Sequence, residues 1–286
     1  MNHRQSTWML LAGCLALLGL SIACSVNPVT GKRELMLIST EQEISMGLQA
    51  GPQFEAQFDG PVPDEGLQRY VSEIGMKLVA NCDRKDLPYE FKCVRSAIPN
   101  AFALPGGKVF VTAGLIACMS NERQLAAVLG HEIGHVNARH NVKGMQRQMG
   151  SELFGKMVAQ MASGQEADKA EKAKGAAQFV AGMVTMKYGR DDEYQADSLG
   201  IKYMARSGWN PQGMVELLEV LLAMHDKEPS SLEEMFQTHP LTSKRVAEAK
   251  ETVAKDFPQA KAGEADPNVK TFDQMKAKAI QHATKL

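Results

Sequence analysis

The stretch ERQLAAVLGHEIGHVNARH carries two histidines four residues apart, His131 and His135, with Glu132 directly after the first. In a helix, a spacing of four stacks two side chains on one face. Both imidazoles can then reach a single ion while the glutamate stands beside them as a base. Leu125, Val128 and Leu129 supply the apolar positions of such a helix. Gly130 and Gly134 leave little bulk next to the histidines, at a cost of roughly 1 kcal/mol each relative to alanine, which points to close packing or to access. The same five letters also occur in buried helices that hold no metal, so the rest of the chain has to decide.

A catalytic zinc takes three protein ligands and keeps one position open, which calls for a further His, Glu or Asp. In YGRDDEYQADSLGIKYMARSG, Glu193 and Asp197 are again four apart on an expected helix. One carboxylate offers a ligand, and Asp197 can accept the free ring N–H of a ligand histidine and so fix its tautomer. The competing reading is a solvated acidic helix start, because Asp191, Asp192 and Glu193 also suit the positive end of a helix dipole.

Four segments, taken together, carry a resemblance. They are IPNAFALPGGKVFVTAGL, HEIGH, EYQAD within DDEYQAD, and THPLTSKR, in that order from Ile98 to Arg245. The set resembles the zinc metallopeptidases that include the CAAX prenyl proteases and the bacterial HtpX- and BepA-like enzymes. The resemblance implies one zinc per chain held by His131, His135 and Glu193, with Glu132 as general base and Asp197 behind the ligands. It implies peptide hydrolysis by a zinc-activated water. Asn100, Ala101 and Phe102 fall at the family's substrate edge, where an extended peptide would add to a sheet through main-chain hydrogen bonds. His239 and Arg245 match the family's pair near the transition state, where a donor or a cation stabilises a developing oxyanion. A vacant site would also let His239 take the fourth metal position and hold water off until substrate arrives. The remaining histidines receive plainer readings: His140 ends the metal helix where a cation suits the dipole, and His3, His225 and His282 lie outside the site. Arg190 and Tyr194 read as surface positions.

The elements that must position these residues follow from local patterns. A helix starts at Ser39 or Thr40, and Pro63-Asp64 opens a second one with Leu67, Tyr70, Val71, Ile74 and Leu78 on its apolar face. YEFKCV (89–94) and GKVFVTAG (107–114) are strand-like, and RSAIPNAFALPGG between them has the turn residues of a hairpin. A small antiparallel sheet is therefore expected beside the HExxH helix. From Ser120 onward the pattern is helix after helix, so the class is α+β, mainly helical and zincin-like. Residues 144–189, rich in Met, Gly and Ala, read either as a mobile lid or membrane-facing arm, or as a helical hairpin packed on the core.

Composition bounds the setting. The 286 residues are 44% hydrophobic with a net charge of −1, so no strong field favours nucleic acid. Arg4 precedes an apolar run from Trp8 to Ala23, which reads as a signal peptide over 1–23. Small residues before Cys24 make it the expected lipidation site, in preference to Cys14. A tether over 24–38, a metallopeptidase domain over 39–256 and a helical tail over 257–286 complete the expected organisation. The chain has no further apolar run of 18 residues. Cys82 and Cys93 could bridge in an exported protein, whereas Cys118 reads as a buried apolar residue. The implied protein is a lipoprotein on the periplasmic face of a bacterial membrane, expected at the outer membrane. Its substrates would be extended, misfolded or unassembled envelope proteins. The alternative is a chaperone or assembly factor that binds the same clients with little cleavage.

Overall fold

The computed structural model describes residues 24–162, 169–227 and 232–284; the expected leader, with Cys14 in it, lies outside them. The expected tether forms a two-stranded antiparallel ribbon, β1 (Cys24–Val26) and β2 (Arg33–Leu35). Asn27 shapes its turn, since its side-chain oxygen accepts from the backbone N–H of Val29 and Thr30 and so stands in for a backbone turn.

Two capped helices follow. Ser39 forms a reciprocal capping box with Gln42 at the start of α1 (Thr40–Gln57), and Asp64 accepts from Leu67 N at the start of α2 (Glu65–Val79). The apolar face of α2 is the expected one: Leu67, Tyr70, Val71, Ile74 and Leu78 are all buried.

The three-stranded sheet corrects the expected topology. Its strands are β3 (Glu90–Val94), β4 (Ala101–Leu104) and β5 (Lys108–Thr112), in the order β3-β5-β4. The segment expected as a hairpin turn contains β4, which returns antiparallel to β5 through Gly106 and Gly107 at φ 80° and 99°. With that side of β5 taken, β3 pairs with the other side and runs parallel to it, so the sheet is mixed. Side chains alternate between two cores. Ala101, Ala103, Val109 and Val111 face α2 and the HExxH helix, while Phe102, Leu104 and Phe110 join Phe54 of α1 and Phe58, its C-cap, on the other face.

Helices make up the remainder of the described chain. They are α3 (Ala113–Cys118), α4 (Glu122–Asn137), α5 (His140–Met149), α6 (Ser151–Ala162), α7 (Lys169–Val184), α8 (Arg190–Arg206), α9 (Gln212–Lys227), α10 (Glu233–Thr238), α11 (Ser243–Asp256) and α12 (Val269–His282). Sequence reading missed α3, which Thr112 caps directly at the end of β5. Between 144 and 189, α6 and α7 lie against α1, which is the packed-hairpin alternative. The last helix, α12, packs on α2 and α3 with Phe272 and Ala279 buried. Among the described residues no helix is long and apolar enough to cross a membrane.

Cys82, Cys93 and Cys118 are free thiols, so the bridge that Cys82 and Cys93 could have formed is absent. Cys93 N donates to Gln68 near the start of α2, whereas Cys82 lies beyond its end. The eleven residues of helix from Gln68 to Val79 separate those levels by roughly 16 Å, far outside disulfide reach.

Every residue of α4 is buried, and its principal partner is α8. Glycines set how closely the two approach: a Cβ at Gly130 would meet Gly200 Cα at 3.2 Å, and one at Gly134 would meet the carbonyl oxygen of Ala196 at 2.9 Å. An exposed helical Gly→Ala change gains about 1 kcal/mol. Gly134→Ala should instead destabilise the protein by about 1–3 kcal/mol through overpacking, read as a lower urea midpoint. A raised midpoint would show that the close approach is not a constraint.

Candidate metal centre

The α4–α8 crossing brings the two spaced pairs face to face. His131 and His135 project from α4, and Glu193 and Asp197 project from the first two turns of α8. The Nε2 atoms of the two histidines lie 3.0 Å apart. Glu193 Oε1 is 3.3 Å from His135 Nε2, and its Oε2 is 3.6 Å from His131 Nε2. His239, just past α10, completes the group, with Nδ1 3.1 Å from Glu193 Oε1 and 3.4 Å from His131 Nε2. One donor atom from each of these four buried residues lies within 4.8 Å of the others.

Asp197 and Arg245 stand behind the donors. Asp197 Oδ1 is 2.9 Å from His131 Nδ1, the hydrogen bond expected from the sequence, which leaves the Nε2 lone pair of His131 facing the group. Arg245, on α11, was expected to face a developing oxyanion. Its guanidinium instead grips Asp197 through Nε (2.8 Å) and Nη2 (2.7 Å), and pairs with Glu193 Oε2 through Nη1 at 2.5 Å. Its remaining contact goes to the carbonyl of Pro240 at 3.3 Å.

Burial and charge compete at each group. Burial raises the Glu193 carboxyl, but Arg245 and His239 outweigh it and hold the group well below the usual carboxylate range. Asp197 is likewise held low, with burial overcome by Arg245 and His131. For Glu132 the balance is reversed: burial outweighs the pull of His239 and His131 and raises it. Its Oε2 is buried with no hydrogen-bond partner among the described residues, and Oε1 is 3.9 Å from His239 Nε2. Burial, followed by the neighbouring His131, pushes His135 well below the usual histidine value, so its ring is neutral and able to bind a metal.

These residues fit a zinc ion. The donor set of imidazole nitrogens and one ionised carboxylate oxygen is the chemistry zinc takes, and Glu132 adds an unsatisfied buried oxygen beside it.

Of the residues expected at a substrate edge, Ala101 and Phe102 lie on β4, an outer strand of the sheet, and Asn100 directly precedes it. Ala101 lines a cavity with His131, Glu132 and His239, while Phe102 points to the opposite core. The Asn100 side chain accepts from Ala101 N and donates to Glu234 at 3.3 Å. Two residues escaped the sequence reading. His140 is fully buried with Nδ1 3.0 Å from His135 Nδ1, where the sequence reading had it outside the site. Tyr188 stacks on the His135 ring at 3.9 Å between centroids. For His140 the run HEIGHVNARH held a signal, a third histidine close in sequence; for Tyr188 there was none.

Arg245 is the only arginine among the described residues paired with both of these carboxylates. In metal-free protein, Arg245→Met should cost about 3–5 kcal/mol at neutral pH, because it strands two buried charges. Both carboxylates have lowered values in the folded state. Their stabilisation is therefore complete above the unfolded carboxylate range near pH ~4 and is lost as pH falls through the lowered values. The difference between the two proteins, followed by urea denaturation, should shrink in acid. A loss under about 1 kcal/mol at neutral pH would show that the pairing carries little stability.

Comparison with known proteins agrees with this geometry. The model of peptidase family M48 matches residues 65–253. The chain is 34% identical over 218 residues to the beta-barrel assembly-enhancing protease of Escherichia coli (strain K12), covering 72% of this chain and 44% of that protein. It is 33% identical over 257 residues to the protein of the same name in Yersinia pestis, covering 87% and 51%. It is 28% identical over 229 residues to the mitochondrial metalloendopeptidase OMA1 of Schizosaccharomyces pombe, covering 78% and 65%. The chain thus spans about half the length of the first two relatives. With well over half of its residues matched by the family model, and with the family's His-His-Glu donors meeting in one buried group, the chain belongs to peptidase family M48, the zinc metallopeptidases.

Proposed function

We propose that the protein is a zinc-dependent endopeptidase whose ligands are His131, His135 and Glu193. The observation that carries this reading is the meeting of those three side chains beside a buried carboxylate, Glu132, whose Oε2 has no hydrogen-bond partner among the described residues. Zinc, when bound, supplies Lewis acidity and lowers the pKa of a bound water to ~7. Glu132 holds the attacking water, takes its proton and returns it to the leaving amine; its raised affinity for protons suits that shuttle. Asp197 orients His131, and Arg245 keeps Asp197 and Glu193 ionised. His239 occupies the fourth corner of the donor group in this conformation and holds water off. When it yields to substrate, its ring N–H is placed to share the charge on the oxyanion.

Substrate would lie along β4, adding to the sheet at Asn100, Ala101 and Phe102. The cavity beside Glu132 is apolar, lined by Val128, Leu217, Leu218 and Leu221 together with Met214 and Met235. At about 20 Å³ it holds about one water as it stands, and its two methionines are the kind of side chain that repacks around a guest. Peptides with Leu, Phe or Met next to the scissile bond should therefore be cleaved at least about tenfold faster than the same peptides with Asp there. Equal rates would remove the cavity from substrate recognition.

The leader pattern and the name of the bacterial relatives, which refers to β-barrel assembly, support a place in the cell envelope. There the protein would be tethered by lipid at Cys24 on the periplasmic face of the outer membrane. Its substrates would be misfolded or unassembled envelope proteins, which expose extended strands able to pair with an edge. Glu132→Gln should retain zinc while losing roughly 100-fold or more of casein hydrolysis, and a chelator should abolish the wild-type reaction. Hydrolysis that survives in Glu132→Gln would overturn the assigned base.

A further inference from the structure

We infer that His140 is a positioning residue, which accepts a hydrogen bond from Nδ1 of His135 and so turns the Nε2 lone pair of that ring toward the metal position. The two Nδ1 atoms are 3.0 Å apart, and only one of them can carry the shared hydrogen. The far side of His140 decides which. Its Nε2 is 2.8 Å from Gln195 Oε1 and 3.5 Å from Asp192 Oδ1, both of them acceptors. The second oxygen of Asp192 is already taken by Arg147 Nη2 (2.7 Å) and Gly189 N (3.1 Å), which fixes the carboxylate in place. His140 Nε2 must therefore carry a hydrogen.

His140 is fully buried, and Asp192, the carboxylate beside its Nε2, is already paired with Arg147, so the ring holds a single hydrogen. Nδ1 of His140 is then a lone pair, and the hydrogen between the rings belongs to His135. The reverse tautomer would set a bare Nε2 against two acceptor oxygens. The same arrangement serves the other ligand, where Asp197 takes the Nδ1 hydrogen of His131. Both rings thereby present Nε2 to one point, one through a carboxylate and one through a neutral histidine.

The backbone is bent to make this contact. On a continuous helix, residue 140 would sit about 140° round the axis from His135. The chain breaks instead at Arg139, which adopts a left-handed conformation (φ 58°, ψ 31°) and starts α5 with His140 folded back beneath His135. A non-glycine residue holds that conformation only when its surroundings compel it. Arg139 is held through Nε to Glu43 (3.2 Å) and Nη2 to the carbonyl of Ile38 (2.9 Å). Gln195 and Asp192 belong to α8, so His140 also ties the helix of the histidines to the helix of Glu193.

The inference rests on His135 as a zinc ligand, and its test reads no hydrolysis. Zinc binding without peptidase activity would remove the proposed function and leave the relay in place. Long-range ¹H–¹⁵N spectra of the full chain, stripped of metal by a chelator, should show His135 protonated at Nδ1. Zinc affinity, measured by competition with a chromophoric chelator, should fall about 10- to 100-fold in His140→Leu, which fills the space without an acceptor. It should return to within a few-fold of wild type in His140→Asn, whose side-chain oxygen can replace the lost lone pair. If His140→Leu does not fold, the wild-type spectrum and the Asn variant decide. A His135 ring protonated at Nε2, a folded Leu variant with unchanged zinc affinity, or an Asn variant tenfold or more below wild type would overturn the assignment.

Discussion

Two buried carboxylates on one helix face two buried imidazoles on another, and the protein must hold this cluster together without water. Glu193 and Asp197 are almost fully excluded from solvent, and removing such charges from water costs several kcal/mol each unless they are paired. Arg245 provides the pairing by bridging both carboxylates through separate nitrogens. The arrangement of α4, α8 and α11 follows from that need. Glycines at the α4–α8 crossing let the helices approach, and α11 delivers the arginine.

The same cluster explains why Glu132 differs from its neighbours. Sequence places it next to His131, and burial outweighs the pull of His239 and His131 on it, so its carboxyl is raised where Glu193 and Asp197 are lowered. Chemically similar side chains within one buried volume are thereby separated into held anions and a group that takes up a proton more readily. The sheet adds a third requirement, an outer strand running past Glu132 with a small residue, Ala101, turned toward it.

The parts legible in the sequence were those fixed by local periodicity. Spacings of four put His131 with His135 and Glu193 with Asp197, and capping residues at Ser39 and Asp64 set the helix starts. Features that depend on distant pairing were not legible. The parallel pairing of β3 on β5 goes with a third strand, β4, that lies between them in sequence and pairs antiparallel on the other side of β5, and β4 lay hidden in a segment whose Pro and Gly residues read as turn. Cys82 and Cys93 looked close in sequence but are held at different levels of α2. Arg245 was placed at the site by resemblance, yet its partners could not be read before α8 and α11 were packed together. His140 was misread because a helical pattern was carried through Arg139, where the backbone in fact turns left-handed.

The central claim is that a single metal is held between α4 and α8. X-ray diffraction from crystals of the zinc-loaded protein, collected on both sides of the zinc absorption edge, tests it most directly. One anomalous peak per chain is predicted within bonding distance of His131 Nε2, His135 Nε2 and a Glu193 oxygen. A peak elsewhere, or none at this cluster in protein shown to contain zinc, would contradict the account.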